Sequence, residues 1–134
     1  MNPKNLLPLV VTDKLAETKK FYVQQAGFEL VTEMEGYLSF RYGGGSGLEL
    51  SFMTPGVSPI GERSAFDGNG LIFSIPTRDA DAKAGEMTSK GVTLESQPTN
   101  RPWGWRSFTT SDPNGVILDF FHVPADNAGA DAKS

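Results

Sequence analysis

A chain of 134 residues with one histidine, no cysteine and a formal charge of −4 is one domain's worth of polypeptide, enough to bury a real core. The missing cysteines exclude disulfides, thiolate nucleophiles and zinc–thiolate sites, and favour a reducing compartment. Twelve basic residues scattered among sixteen acids offer no basic patch, so nucleic acid and anionic membrane are poor partners. The first apolar run is too short for a signal peptide and no run approaches membrane-span length, so a cytoplasmic location is expected.

Residues 6–11 form an apolar run of strand length, in which Pro8 argues for an amide facing an edge or a gap in the ladder. Asp13 stands where it would cap the next segment, 14–26. There Leu15, Thr18, Tyr22 and Ala26 recur at helical spacing with Phe21 beside them, while Lys14, Glu17, Lys19 and Gln24 take the other side. Gly27 ends this helix, and strands follow at 28–33, 37–42 and 48–53. Residues 54–69 contain Pro55, Gly56, Pro59, Gly61 and Gly68 without periodicity, and read as a linker and candidate flap. A strand at 71–76 and a helix at 80–89 come next, with Asp79 near the helix start and Gly91 just past its end.

Further strands are expected at 92–96, 105–110 and 116–123. The segment Arg101-Pro102-Trp103-Gly104-Trp105-Arg106-Ser107-Phe108 reads as strand-like. The box Asp112-Pro113-Asn114-Gly115 announces a hairpin turn, because proline presets φ while asparagine and glycine tolerate positive φ. The strand after it carries a lone carboxylate, Asp119, between large apolar residues. The tail, 124–134, is expected to fray.

The order of elements occurs twice, with offsets of 64 from Gly27 to Gly91 and 70 from Glu49 to Asp119. Such self-similarity marks duplicated units. The chain therefore reads as one α+β domain of two βαβββ modules, the first at about 6–53 and the second at about 70–123. Strand parity predicts one wholly apolar face: Leu7, Leu9 and Val11; Leu48, Leu50 and Phe52; Leu71, Phe73 and Ile75; Val116, Leu118 and Phe120. The opposite face is mixed, and includes Glu49, Ser51, Met53, Gly70, Ser74, Asp119 and Phe121. Sheets curled with this face inward and helices outside would enclose a mainly apolar pocket with a few polar groups.

The doubled βαβββ order, Phe21-Tyr22 late in the first helix with Gly27-Phe28 after it, Leu48-Glu49-Leu50, and the Asp-Pro box before an acid-bearing strand resemble the vicinal oxygen chelate superfamily. That group contains glyoxalase I, extradiol dioxygenases, fosfomycin-resistance transferases and bleomycin resistance proteins, and the likeness covers about residues 6–123. Pro102-Trp103-Gly104-Trp105-Arg106 is most similar to the bleomycin-resistance type. The resemblance implies that metal enzymes of this group take one ligand from the first and one from the last strand of each half. Those positions fall here at Leu6, Glu49, Gly70 and Asp119. Neither Leu6 nor Gly70 can bind a metal, and two carboxylates alone would make at most a weak, water-rich site. No metal and no cofactor are expected.

The lone His122 lies on the parity opposite Asp119 and reads as structural or surface-exposed. Glu49 and Asp119 are candidates for acid or base work, or for plain pairing with Arg41 or Arg106. Trp103 and Trp105 share parity with Ser107 and Thr109, so Trp105 would look into the concavity with Tyr37 and Arg41; a rim or dimer seam is the competing role. Arg106 is either an edge charge or a contact to a ligand carboxylate or partner. The candidate ligand-binding set is Trp103, Trp105, Tyr37, Arg41, Glu49, Ser51, Ser74, Arg106, Asp119 and Phe121. The expected function is metal-independent binding of a planar or amphipathic small molecule by a homodimer. The alternatives are a metal-dependent lyase or isomerase using Glu49 and Asp119, and an accessory domain with a vestigial pocket.

Overall fold

Residues 7–43, 48–55, 65–67 and 69–125 are described by a computed structural model, in two units, Met1–Asn69 and Gly70–Ser134. The first contains β1 (Leu9–Val11), α1 (Leu15–Lys19) running on as a π-helix (Lys20–Gln25), β2 (Glu29–Met34), β3 (Tyr37–Tyr42) and β4 (Leu48–Met53). The second contains β5 (Ile72–Pro76), α2 (Ala80–Ser89), β6 (Leu94–Asn100), β7 (Arg106–Ser111) and β8 (Ile117–His122). The sheet orders are β1-β4-β3-β2 and β5-β8-β7-β6. In each the first strand runs parallel to the last and the other pairings are antiparallel. Two α+β modules of one βαβββ topology are thus present, as the duplicated sequence order requires.

Each sheet buries one face against its own helix. In the first module Tyr22 is fully buried, stacked on Phe40 at 5.2 Å and edge-on to Phe21 and Phe28 at 5.2 and 5.0 Å. Phe52 completes this aromatic nest at 5.2 Å. Thr18 and Ala26 are buried beside it, so the helical stripe read from the sequence faces the sheet. In the second module Ala80, Lys83, Ala84 and Met87 are buried on the inner side of α2, and Phe108 stacks on Phe120 at 5.4 Å. Burying each of the phenylalanine and methionine side chains stabilises by about 1.5–3 kcal/mol.

Two backbone anchors recur. Thr12 N–H donates to Met53 O at 2.8 Å, and Thr77 N–H donates to Phe121 O at 2.7 Å. After the helices the chain turns at Gly27 (φ 79°) and Gly91 (φ 90°), in the left-handed region that glycine tolerates. Between these shared points the first module has one residue more than the second. The π-turn, with Ala26 N–H donating to Phe21 O at 2.8 Å, takes up that residue without rotating Phe21 and Tyr22 off the core.

Several expectations are corrected. Strand β1 is shorter than 6–11, and Leu6 lies outside the described residues. Its facing is inverted: Val10 pairs with Phe52 and is buried, whereas Leu9 pairs with Ser51 and is 41% exposed. A continuous apolar run carries no alternation from which to choose its inward parity. The first helix is capped differently too, since Thr12 Oγ1 accepts from Lys14 N–H while Asp13 is exposed. Asp79 does cap α2, accepting from Ala82 N–H at 3.1 Å. Strand β6 extends to Asn100, past the expected 96, because it is an edge strand that accommodates Pro98 between register shifts. The segment 101–105 is the β6–β7 turn, closed by Arg101 N–H to Trp105 O at 2.7 Å with Gly104 at φ 96°, and not strand. Most of the expected flap, residues 56–64 and 68, and the tail from 126 lie outside the described residues.

Candidate functional site

The second module builds its site from the Asp-Pro box upward. Asp112, buried to 5% exposure, accepts with Oδ1 from Asn114 N–H at 2.8 Å and from Val116 N–H at 2.9 Å. Its own N–H donates to Val116 O at 2.9 Å. This closed turn sets the register of β8 on β7, which pairs Ser107 with Phe121, Phe108 with Phe120 and Thr109 with Asp119. Phe108 and Phe120 consequently face the helix, and Ser107, Thr109, Asp119 and Phe121 face the other way. That division matches the parity read from the sequence.

A groove of about 560 Å³ opens on this second face, lined by Ile72, Ser74, Ser96, Arg101, Trp103, Trp105, Thr109 and Asp119. Trp105 lies flat on Phe121, with ring centroids 3.7 Å apart and planes 8° from parallel. Trp103 stands edge-on to it at 6.3 Å and is 59% exposed. Asp119 is 8% exposed and accepts from Ser74 Oγ at 3.1 Å. Its mostly buried carboxylate therefore borders an apolar groove with a hydroxyl as its hydrogen-bond donor. Beside Asp119 on the same sheet face, Ser96 Oγ and Thr109 Oγ1 share a hydrogen bond of 2.7 Å.

Of the expected set, Trp103, Trp105, Ser74 and Asp119 line this groove, and Phe121 supports Trp105 from beneath. Arg106 does not join them. Its Nε and Nη2 engage Asp81 of α2 at 2.7 and 2.8 Å, and this fork holds the Asp81 carboxyl below its ordinary value. Residues Ile72, Ser96, Arg101 and Thr109 were absent from the expected set. Arg101 stands immediately before Pro102-Trp103, and only the tight turn folds it back over β7.

The first module places its candidates on β3 and β4. Tyr37 Oη donates to Ser51 Oγ at 3.1 Å, and Arg41 lies 3.9 Å from Glu49 and 3.6 Å from Glu29. Internal symmetry revises one equivalence. Leu9 pairs with Ser51 as Ser74 pairs with Asp119, and Met53 and Phe121 receive the same threonine anchor. By this register the counterpart of Asp119 is Ser51, and Glu49 corresponds to Ile117. Loops of different length before β4 and β8 hide that shift in the sequence.

The superfamily's metal pattern does not fit these side chains. Gly70, at φ +80°, offers no donor atom, and Glu49 is paired with Arg41. His122 is committed elsewhere: its Nδ1 accepts from Ala80 N–H at 2.8 Å, capping α2. Among the described residues no three His, Asp or Glu side chains gather into a set able to hold a metal ion. No helix among them is long and apolar enough to cross a membrane.

The doubled module and its lined groove define a class, and comparison with known proteins agrees. The chain belongs to the Glyoxalase/Bleomycin resistance protein/Dioxygenase superfamily, whose profile matches residues 6–120. Among solved structures it is similar to a glyoxalase/bleomycin resistance protein from Streptomyces sp. CB03234, at 27% identity and a TM-score of 0.64 over 87% of this chain and 98% of that one. An antibiotic binding protein from the same organism is 26% identical, with a TM-score of 0.66 over 92% of this chain and 98% of that one. A virulence protein from Salmonella typhimurium shares the fold at 15% identity, with a TM-score of 0.73 over 92% of this chain and 98% of that one. No curated protein matches.

Proposed function

We propose that the protein binds a planar or amphipathic small molecule without a resident metal, sequestering it in the manner of the bleomycin-resistance branch. The observation that carries this reading is the groove of the second module. Its volume of about 560 Å³ suits a drug-sized ligand, and its wall is a rigid indole already stacked at 3.7 Å on Phe121. The exposed face of such a pair receives a flat ring with little loss of freedom, and each aromatic contact adds about 0.5–1.5 kcal/mol beyond burial. Trp103, 59% exposed, is a second surface available to the same ligand. The antibiotic binding protein at 26% identity supports the reading by its described role. Sequestration needs no catalytic group. The pairing of Glu49 with Arg41 and the register that matches Asp119 to Ser51 both weigh against a lyase or isomerase using the two acids together.

In this reading the protein is a cytoplasmic homodimer, and Tyr37, Arg41, Glu49 and Ser51 are polar groups available to a ligand on the first module's own sheet. The test is tryptophan-fluorescence titration of purified protein with a panel of aromatic antibiotics and planar metabolites. Saturable quenching near one ligand per groove is expected, and Trp105→Ala should abolish it. A panel without any saturable response would refute the proposal.

A further inference from the structure

The second module's groove contains a cation placed for a ligand. Arg101 donates from Nε to Ser107 Oγ at 2.8 Å, and from Nη2 to Ser96 Oγ at 3.1 Å and the Ser107 carbonyl at 3.2 Å. Ser96 Oγ is itself held, sharing a hydrogen bond with Thr109 Oγ1 at 2.7 Å and accepting from Thr109 N–H at 3.1 Å. Every acceptor of Arg101 is neutral. Arg41 and Arg106, by contrast, each face a carboxylate. Among the described residues Arg101 has no acidic partner, and Asp119 lines the same groove without pairing to it.

These bonds tie the guanidinium down beside two indoles and satisfy the hydroxyl of the fully buried Ser107. Ordering a long arginine costs side-chain freedom. Here that cost is met before any ligand arrives, which is the condition for tight recognition. Nε and Nη2 are spent on Ser96 and Ser107, and the Nη1 hydrogens, which have no protein acceptor among the described residues, offer a carboxylate one charge-assisted contact. The acid on the groove's wall, Asp119, accepts from Ser74 Oγ, and no other donor reaches it among the described residues. It therefore calls for a donor on the ligand.

We infer that Arg101 selects the ligand, and that the groove takes a planar aromatic carboxylate, its ring against Trp105, its carboxylate on Arg101 and a hydroxyl or amino group toward Asp119. This rests on the binding reading above and adds the chemical class.

The test compares 6-hydroxy-2-naphthoate, 2-naphthoate and the neutral 2-naphthamide by calorimetric and fluorescence titration. Wild-type protein should bind the naphthoates at least tenfold more tightly than the amide, and the hydroxylated one best. Arg101→Gln should erase the preference for the acids while leaving the amide unchanged. Arg101→Lys, which keeps the charge, should restore part of it. If Arg101→Gln does not fold, the wild-type preference and its weakening by salt decide alone. Equal binding of acid and amide overturns the role of Arg101, as does saturable binding of the antibiotic panel with no binding of the naphthoates. Both outcomes leave the binding reading standing, whereas silence with both sets overturns the two together.

Discussion

Replacing Asp112 by alanine removes the carboxylate whose Oδ1 accepts from two backbone amides, those of Asn114 and Val116. Asp112 and Asn114 are each 5% exposed and Val116 is fully buried, so solvent replaces the lost acceptor poorly. An unsatisfied buried donor costs about 1–3 kcal/mol. Two donors, partly relieved by relaxation around the exposed Gly115, give an expected loss of about 3 kcal/mol. Asp112→Asn keeps a carbonyl oxygen in the same place and loses only charge assistance, so about 1 kcal/mol is expected. Urea unfolding followed by tryptophan fluorescence measures both, with the slope unchanged if only stability is altered. Because the turn sets the register of β8, Asp112→Ala should also weaken ligand binding through Asp119 and Phe121. An alanine variant within 0.5 kcal/mol of wild type, about the scatter of ordinary surface changes, would refute this account of the box. So would an asparagine variant as damaged as the alanine one.

Tyr22→Ala empties the site where four phenylalanine rings meet, and should cost about 3–5 kcal/mol in the same assay; a loss below about 1.5 kcal/mol would mean that the nest collapses around the gap. Lys83 is buried under α2 with its ammonium 5.5 Å from the Phe120 ring, and burial depresses its proton affinity below the ordinary 10.5. The native state then holds fewer protons than the unfolded chain between the depressed value and 10.5, so stability rises with pH across that window and the buried charge is a cost below it. Lys83→Met should therefore raise the neutral-pH Tm by a few degrees, with the gain vanishing in alkali; a lower Tm would show that the ring and Glu86 outweigh burial. For Asp81, held below its ordinary 3.8 by the Arg106 fork, stability is present above that value and lost as pH falls through the depressed one. Asp81→Asn should thus lower the Tm slightly at neutral pH and low salt, and make no difference in strong acid or at high salt, where the half-exposed pair is screened.

How far the sequence reached is clearest from single elements. The range 80–89 for α2, and 37–42 and 48–53 for β3 and β4, were readable because periodicity, an N-cap and a C-terminal glycine agreed. The parity of Phe108, Phe120 and Asp119 was readable because apolar and polar residues alternate there. Strand β1, apolar at every position, withheld its facing until Val10 was seen against Phe52. Edge strand β6, short of apolar residues and holding Pro98, reads as ending at 96 but runs on to Asn100. In the groove, Ser74 and Asp119 were legible as chemistry on a strand face, whereas Trp103 and Trp105, read as strand-like, stand in the β6–β7 turn. Arg106 reads as either an edge charge or a ligand contact, because Asp81, its partner, is 25 residues away and outside any local pattern.

The sequence by itself determined the doubled βαβββ plan, the two aromatic cores and the absence of histidine from the expected metal positions. These depend on local spacing and residue type, which a linear string carries. Only the tertiary structure decided which residues of the two modules correspond, which arginine is spent on a helix and which is held in the groove. Those outcomes rest on strand register and on turns that fold one residue over another, and a shift of a single pairing would change every one of them.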